Sequence, residues 1–149
     1  MSVLEILDDD LMVENLQADS KIDALSKMTD ILLEHNYISD KEGFLNDVLE
    51  REKLGTTGIG DYVAIPHGQS DYVNKTTIMI SKLQNEIEWE TLDGKGVKVI
   101  VLFVVKNGKN FADNHLAILS EVASYLADET ILHKLLNASN KTDIKNCFV

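Results

Sequence analysis

REKLGTTGIGDYVAIPHG, residues 51–68, holds the chain's only proline, Pro66, directly before a histidine, His67, which a glycine, Gly68, follows. Proline fixes its own φ and pushes the preceding residue to an extended conformation. Glycine permits a tight turn or a close backbone approach. A short apolar segment, Val63 to Ile65, leads into the proline, and a Gly/Thr-rich loop leads into that segment. The stretch reads as a strand end that presents one imidazole on a stiff turn. An imidazole titrates near neutral pH, and its neutral form is a nucleophile.

Upstream, the apolar spacing of Ile22, Leu25, Met28, Ile31 and Leu32 predicts a helix over Ser20 to His35, capped by Asp19 or Ser20. Ser39 and Glu42 form an S-x-x-E capping box for a second helix, with Leu45, Val48 and Leu49 inward. That helix runs to about Lys53, with Gly55 past its end. Arg51 then falls in its last turn, where a cation suits the helix dipole. A first short strand is expected over Leu11 to Leu16.

Downstream, Tyr62 to Ile65 and the β-branched run Thr76 to Leu83 read as strands. Leu92 to Gly96, LDGKG, is a turn signal. Val97 to Val105 is a near-continuous apolar run of strand length, as expected of a central strand covered on both faces, although periodicity alone does not distinguish it from a buried helix. The last third is helical. Leu116, Leu119, Val122, Ala123 and Leu126 form one stripe, Ile131, Leu132, Leu135 and Leu136 another, and Lys141 to Phe148 a short terminal helix. Helices before, strands between and helices after predict an α/β fold, a three-layer α/β/α sandwich. With no repeat or linker, residues 1–149 read as a single domain.

Net charge is −11, which argues against non-specific binding to nucleic acid or an anionic membrane. The longest apolar run, Val97 to Val105, is too short to span a bilayer. The acidic N-terminus lacks the basic region of a secretory signal. One cysteine, Cys147, excludes an internal disulfide and fits a reducing cytoplasm; it reads as a packing residue. No G-x-x-x-x-G-K-[ST], H-E-x-x-H or paired C-x-x-C is present.

The four histidines differ in context. His35 sits at a predicted helix C-terminus, where the dipole accounts for it. His133 lies off the apolar face of its helix. His115 falls in the first turn of a helix that Asp113 can cap, next to unpaired N–H groups that favour anions. Its other reading is a residue bordering the core beside Leu119 and Val122. Arg51 carries a planar charge suited to phosphoryl oxygens; its other reading is an exposed helix-end charge paired with Glu50 or Asp47. Thr56 and Thr57 are candidate hydroxyl donors or simple loop residues.

Residues 51–68 resemble the active-site segment of the enzyme IIA domains of the phosphoenolpyruvate-dependent sugar phosphotransferase system, fructose/mannitol class. In that family an arginine and a threonine-containing loop precede a motif close to G-x-G-x-x-I-A-I-P-H-G. A second histidine opens a helix of pattern H-L-x-I-L-S, matched by His115 in DNHLAILSEVASYL. IEWETLDGKGVKVIVLFVV resembles the fructose-type branch at Trp89, Leu92, Asp93 and Gly94. Tyr62, Val63 and the loop Asn107 to Asn110 depart from the usual pattern.

The resemblance covers nearly the whole chain. It implies a mixed sheet and His67 as a phosphoryl acceptor, through Nε2, from the phosphocarrier HPr. The acceptor it implies is a IIB domain, with a IIC membrane partner in the same system. Arg51 and His115 would neutralise and hydrogen-bond the phosphoryl oxygens, and backbone N–H groups in the turn near Gly68 would assist. The resemblance implies neither metal nor nucleotide cofactor. A regulatory, nitrogen-type domain of the same fold, in which His67 phosphorylation switches protein binding, is the alternative.

Overall fold

The computed structural model describes residues 7–107 and 120–148. Its elements run β1 (Met12–Leu16), α1 (Lys21–Glu34), α2 (Lys41–Leu54), β2 (Gly58–Gly60), β3 (Val63–Ala64), β4 (His67–Ser70), β5 (Thr77–Ile87) and β6 (Val97–Lys106). Helical residues 120–126, α3 (Glu129–Asn137) and α4 (Lys141–Asn146) follow.

β6 organises the molecule. One edge pairs antiparallel with β5, and the other pairs parallel with β3 and then β4, giving a mixed six-stranded sheet in the order β1-β5-β6-β3-β2. Its side chains alternate between two cores. Ile100, Leu102 and Val104 pack with Leu25, Met28 and Leu32 of α1 and with Phe44 and Val48 of α2. Val99, Val101, Phe103 and Val105 pack with Val122, Leu126, Leu132, Leu135 and Ile144 on the opposite face. This double burial explains the uninterrupted apolar sequence, since burying each such side chain stabilises the fold by roughly 1.5–3 kcal/mol. The three-layer α/β/α sandwich with a mixed sheet is therefore as expected.

Several details depart from the sequence-based expectation. α2 starts from Asp40, whose carboxylate accepts the Gly43 N–H at 2.7 Å; Ser39 instead turns to the Tyr72 carbonyl. Asp40 is one residue nearer the helix and bears two acceptor oxygens, so it displaces the expected capping box. Ile22, expected on the inner face of α1, is 60% exposed, and Ala24 and Thr29 are buried instead. β5 continues to Ile87 because its polar end still finds a partner in β6 at Val97. Val122 and Leu126 are buried but Ala123 is exposed; Leu116 and Leu119 lie outside the described residues.

Two short strands, β2 and β4, carry little sequence signal. β2 and β3 form a hairpin whose two-residue loop is Asp61-Tyr62, with φ of 53° and 66°. Positive φ at both positions is the requirement of a type I′ turn, which glycine or asparagine usually meets. The Asp61 N–H donates to Asp93 at 3.0 Å, and the Tyr62 ring lies under Lys98 at 4.3 Å. β3 and β4 then succeed each other along one edge of β6, separated by Ile65-Pro66. The Pro66 carbonyl accepts the Phe103 N–H at 3.0 Å, so the edge stays bonded across the residue that has no N–H to give. His67 is thus the first residue of a strand.

Candidate functional site

The site is built by one face of α2 lying on β4. Phe44, Asp47 and Arg51 are spaced three and four residues apart, so they share a helix face. Phe44 covers Gly68; a Cβ on Gly68 would stand 2.4 Å from the Phe44 ring and 3.1 Å from the Phe103 carbonyl. One turn on, Asp47 accepts the Ser70 hydroxyl at 2.5 Å. One further turn brings Arg51 close enough for its charge to act on His67. The glycine after the histidine is therefore required by close packing of helix on strand. Gly68→Ala is expected to lower stability by about 1–3 kcal/mol through overpacking. Urea unfolding measures that loss, and an unchanged midpoint would show that α2 is free to shift.

His67 is half-buried, with its ring edge-on to Phe103 at a centroid distance of 5.1 Å. Of its two ring nitrogens, only Nδ1 is both enclosed and unpartnered. Burial, and next the positive charge of Arg51, hold the imidazole's pKa below its ordinary value. The Ile65 carbonyl and the Glu52 carboxylate oppose this. The Ile65 carbonyl exerts its pull without meeting Nδ1 in hydrogen-bond geometry. The ring is therefore neutral at neutral pH.

The lowered pKa has a consequence for stability. An unfolded histidine binds its proton near pH 6.5, above the folded value, so between the two the unfolded chain holds more protons. The stability contributed by neutral His67 is fully present above about pH 6.5 and is lost as pH falls through the folded pKa. Unfolding free energies of the wild type and His67→Gln, compared across that window, should show a shallower fall in the variant. Parallel curves would contradict the assignment of a low pKa.

Arg51 stands in the last turn of α2, as expected, and its Nη1 donates to the Gly55 carbonyl at 3.5 Å, the limit of a hydrogen bond. Thr57 is buried and its hydroxyl donates to Glu52 at 2.6 Å, so that donor is already engaged; Thr56 is exposed. Gly68 pairs with Val104 in the β4–β6 ladder, so its backbone belongs to a strand and not to an open turn. His115 lies outside the described residues. His35 caps the C-terminus of α1, with its Nδ1 3.8 Å from Asp10, and His133 is exposed on α3. Cys147 is buried in the second core, its thiol donating to the Asp143 carbonyl at 3.3 Å, consistent with packing.

Two participants were not anticipated. Phe103 fixes the face of the imidazole, and Glu52 carries a buried carboxylate beside it. Phe103 lay hidden inside an apolar run. A glutamate in a helix's last turn gives no sign of burial, because its cation, Lys21, lies on another helix. Among the described residues no helix is long and apolar enough to cross a membrane.

Fold and site together define a class: an α/β sandwich that displays a neutral, edge-buried histidine beside an arginine held on a helix. The family model for the phosphoenolpyruvate-dependent sugar phosphotransferase system, EIIA 2, matches residues 5–149, and the chain belongs to that family. It is 29% identical over 127 residues to a fructose-specific EIIA component of Haloferax volcanii, covering 85% of this chain and 81% of that protein. It is 32% identical over 135 residues to a nitrogen regulatory protein of Bradyrhizobium diazoefficiens, covering 91% of this chain and 86% of that one. A fructose-specific EIIABC component of Bacillus subtilis is 26% identical over 144 residues, 97% of this chain but only 22% of that longer protein.

Among solved structures, nitrogen regulatory protein IIA-Ntr from Neisseria meningitidis superposes with a TM-score of 0.87 at 26% identity, covering 99% of each chain. The complex of enzyme IIA mannitol with phosphorylated enzyme IIB mannitol from Escherichia coli gives 0.77 at 18% identity, over 95% of this chain and 96% of that one, a likeness of fold.

Proposed function

We propose that this chain is a cytoplasmic phosphocarrier in which Nε2 of His67 accepts a phosphoryl group from phospho-HPr and passes it to a IIB domain during sugar uptake. The observation that carries the reading is the ring's environment. Nδ1 is enclosed, and burial and Arg51 keep the ring neutral; in the tautomer with its proton on Nδ1, Nε2 holds the lone pair for in-line attack. The P–N bond to the donor imidazole breaks as the P–Nε2 bond forms, and the departing nitrogen keeps the electron pair. Such a transfer needs positioning and charge stabilisation more than covalent assistance. The Arg51 guanidinium supplies a fork for the equatorial oxygens, and His115 donates a further hydrogen bond. The relative whose structure was solved with a phosphorylated IIB partner supports a IIB domain as acceptor.

A second reading has its own support. Likeness to the nitrogen regulatory proteins, at 32% identity in one and a TM-score of 0.87 in the other, favours a regulatory domain whose His67 phosphorylation switches protein binding. Reconstitution separates the two. Labelled phosphoenolpyruvate, enzyme I and HPr load the protein, and purified IIB candidates are then added with their IIC partner and sugar. Label leaving for a IIB domain and then sugar supports the carrier; label retained on this chain with every candidate supports the switch.

A further inference from the structure

Glu52 is the most enclosed carboxylate in an ion pair among the described residues, with a side chain 5% exposed. A buried carboxylate is unfavourable unless its oxygens are paired. Both of them are. Oε1 meets the Lys21 ammonium at 2.8 Å, and Oε2 accepts the Thr57 hydroxyl at 2.6 Å. Lys21 is the first residue of α1, a position the helix dipole disfavours for a cation. It is held there by Glu52, by Glu90 at 2.8 Å and by the face of Trp89, 4.9 Å from its ring centre. Burial works against the Lys21 charge, yet the two carboxylates outweigh it and raise its pKa.

The chain of contacts continues toward the histidine. The Thr57 carbonyl accepts the Ile65 N–H at 2.9 Å, two residues before His67. One carboxylate therefore ties together the start of α1, the last turn of α2, the loop at residues 55–57 and the segment entering β4. Arg51 is its direct neighbour in that last turn. Its guanidinium has only the long contact to Gly55 among the hydrogen bonds of the described residues. The anchored residue of that turn is Glu52.

We propose that Glu52 is a positioning residue: its pair with Lys21 and its bond from Thr57 fix the Arg51–Thr57 segment, and its own charge, against His67. The inference deepens the phosphoryl-transfer reading and rests on it for its kinetic arm. The charged groups acting on the imidazole are Arg51 and Glu52, both from α2, while β6 presents the apolar Phe103.

The test uses the full chain and two variants, Glu52→Gln and the double variant Lys21→Met/Glu52→Gln. The glutamine still accepts the Thr57 hydroxyl, and the double variant removes both charges if the single one folds poorly. Two quantities are read on folded protein: the rate of His67 phosphorylation by phospho-HPr, and the pH at which the His67 ring titrates by NMR. Both variants are expected to be phosphorylated about tenfold more slowly, the scale on which a small misplacement acts. His67 is expected to titrate at lower pH in both, because a neighbouring anion that favoured the imidazolium is gone. An unmoved titration in a folded variant overturns the proposal whatever the rate, and so does a wild-type rate. A wild-type protein that phospho-HPr never labels defeats the phosphocarrier reading instead, and the titration alone then decides the role of Glu52.

Discussion

His67→Ala is expected to take up no phosphoryl group from phospho-HPr while remaining folded. The ring is half-buried, and its aromatic contact is with Phe103, worth about 0.5–1.5 kcal/mol beyond burial. Nδ1 makes no hydrogen bond among the described residues, so removing it orphans no partner. Loss of labelling in a variant that keeps its circular dichroism spectrum is therefore assigned to the missing imidazole. None of the other described histidines offers a substitute: His35 caps α1 next to Asp10, and His133 is exposed on α3. His67→Gln, which keeps polar bulk beside Phe103, should be equally inactive. Filter binding of label from phosphoenolpyruvate, with circular dichroism to confirm the fold, makes the comparison. Label at the wild-type level in either variant would place the acceptor elsewhere.

Arg51→Ala is expected to slow phosphoryl transfer by about 10²–10³-fold, the effect of removing one fixed donor from a developing anion. Arg51→Lys should fall between, since a point charge replaces a planar fork. A second consequence has a definite sign. After burial, the Arg51 charge is the next cause of the low His67 pKa. Without it the ring holds its proton to higher pH, so the acid limb of the rate profile moves upward in Arg51→Ala. In Arg51→Lys, which keeps the charge, that limb should move less. A slower rate with an unmoved limb would mean that Arg51 acts without sensing the imidazole.

The sequence made the middle of the fold legible because β6 is buried on both faces and is written as an apolar run of strand length, although periodicity alone left a buried helix open until the two cores were seen. The face of α2 was only partly legible. Val48 signals an inward position, but Phe44 and Asp47 gain their meaning from Gly68 and Ser70, twenty-odd residues away. The strands β2 and β4 were invisible for a physical reason. Gly58–Gly60 and His67–Ser70 contain few β-formers and become strands through tertiary pairing, β4 on the open edge of β6 and β2 on β3.

The histidine and arginine were found from motif and resemblance. Glu52 was not, because its burial depends on a lysine at the start of another helix, and that lysine's second carboxylate, Glu90, is 69 residues from it. Charge pairs assembled by tertiary structure leave no local pattern. The same holds for Ser39 and Asp40, two good capping residues side by side, between which the local sequence does not choose.

The most direct test is nitrogen-15 NMR of the protein after phosphorylation by enzyme I and HPr, with histidine labelled at both ring nitrogens. Coupling to phosphorus on Nε2 of His67 is the predicted result, since Nδ1 is enclosed by the fold. Coupling on Nδ1, or on a different histidine, would contradict the account at its centre.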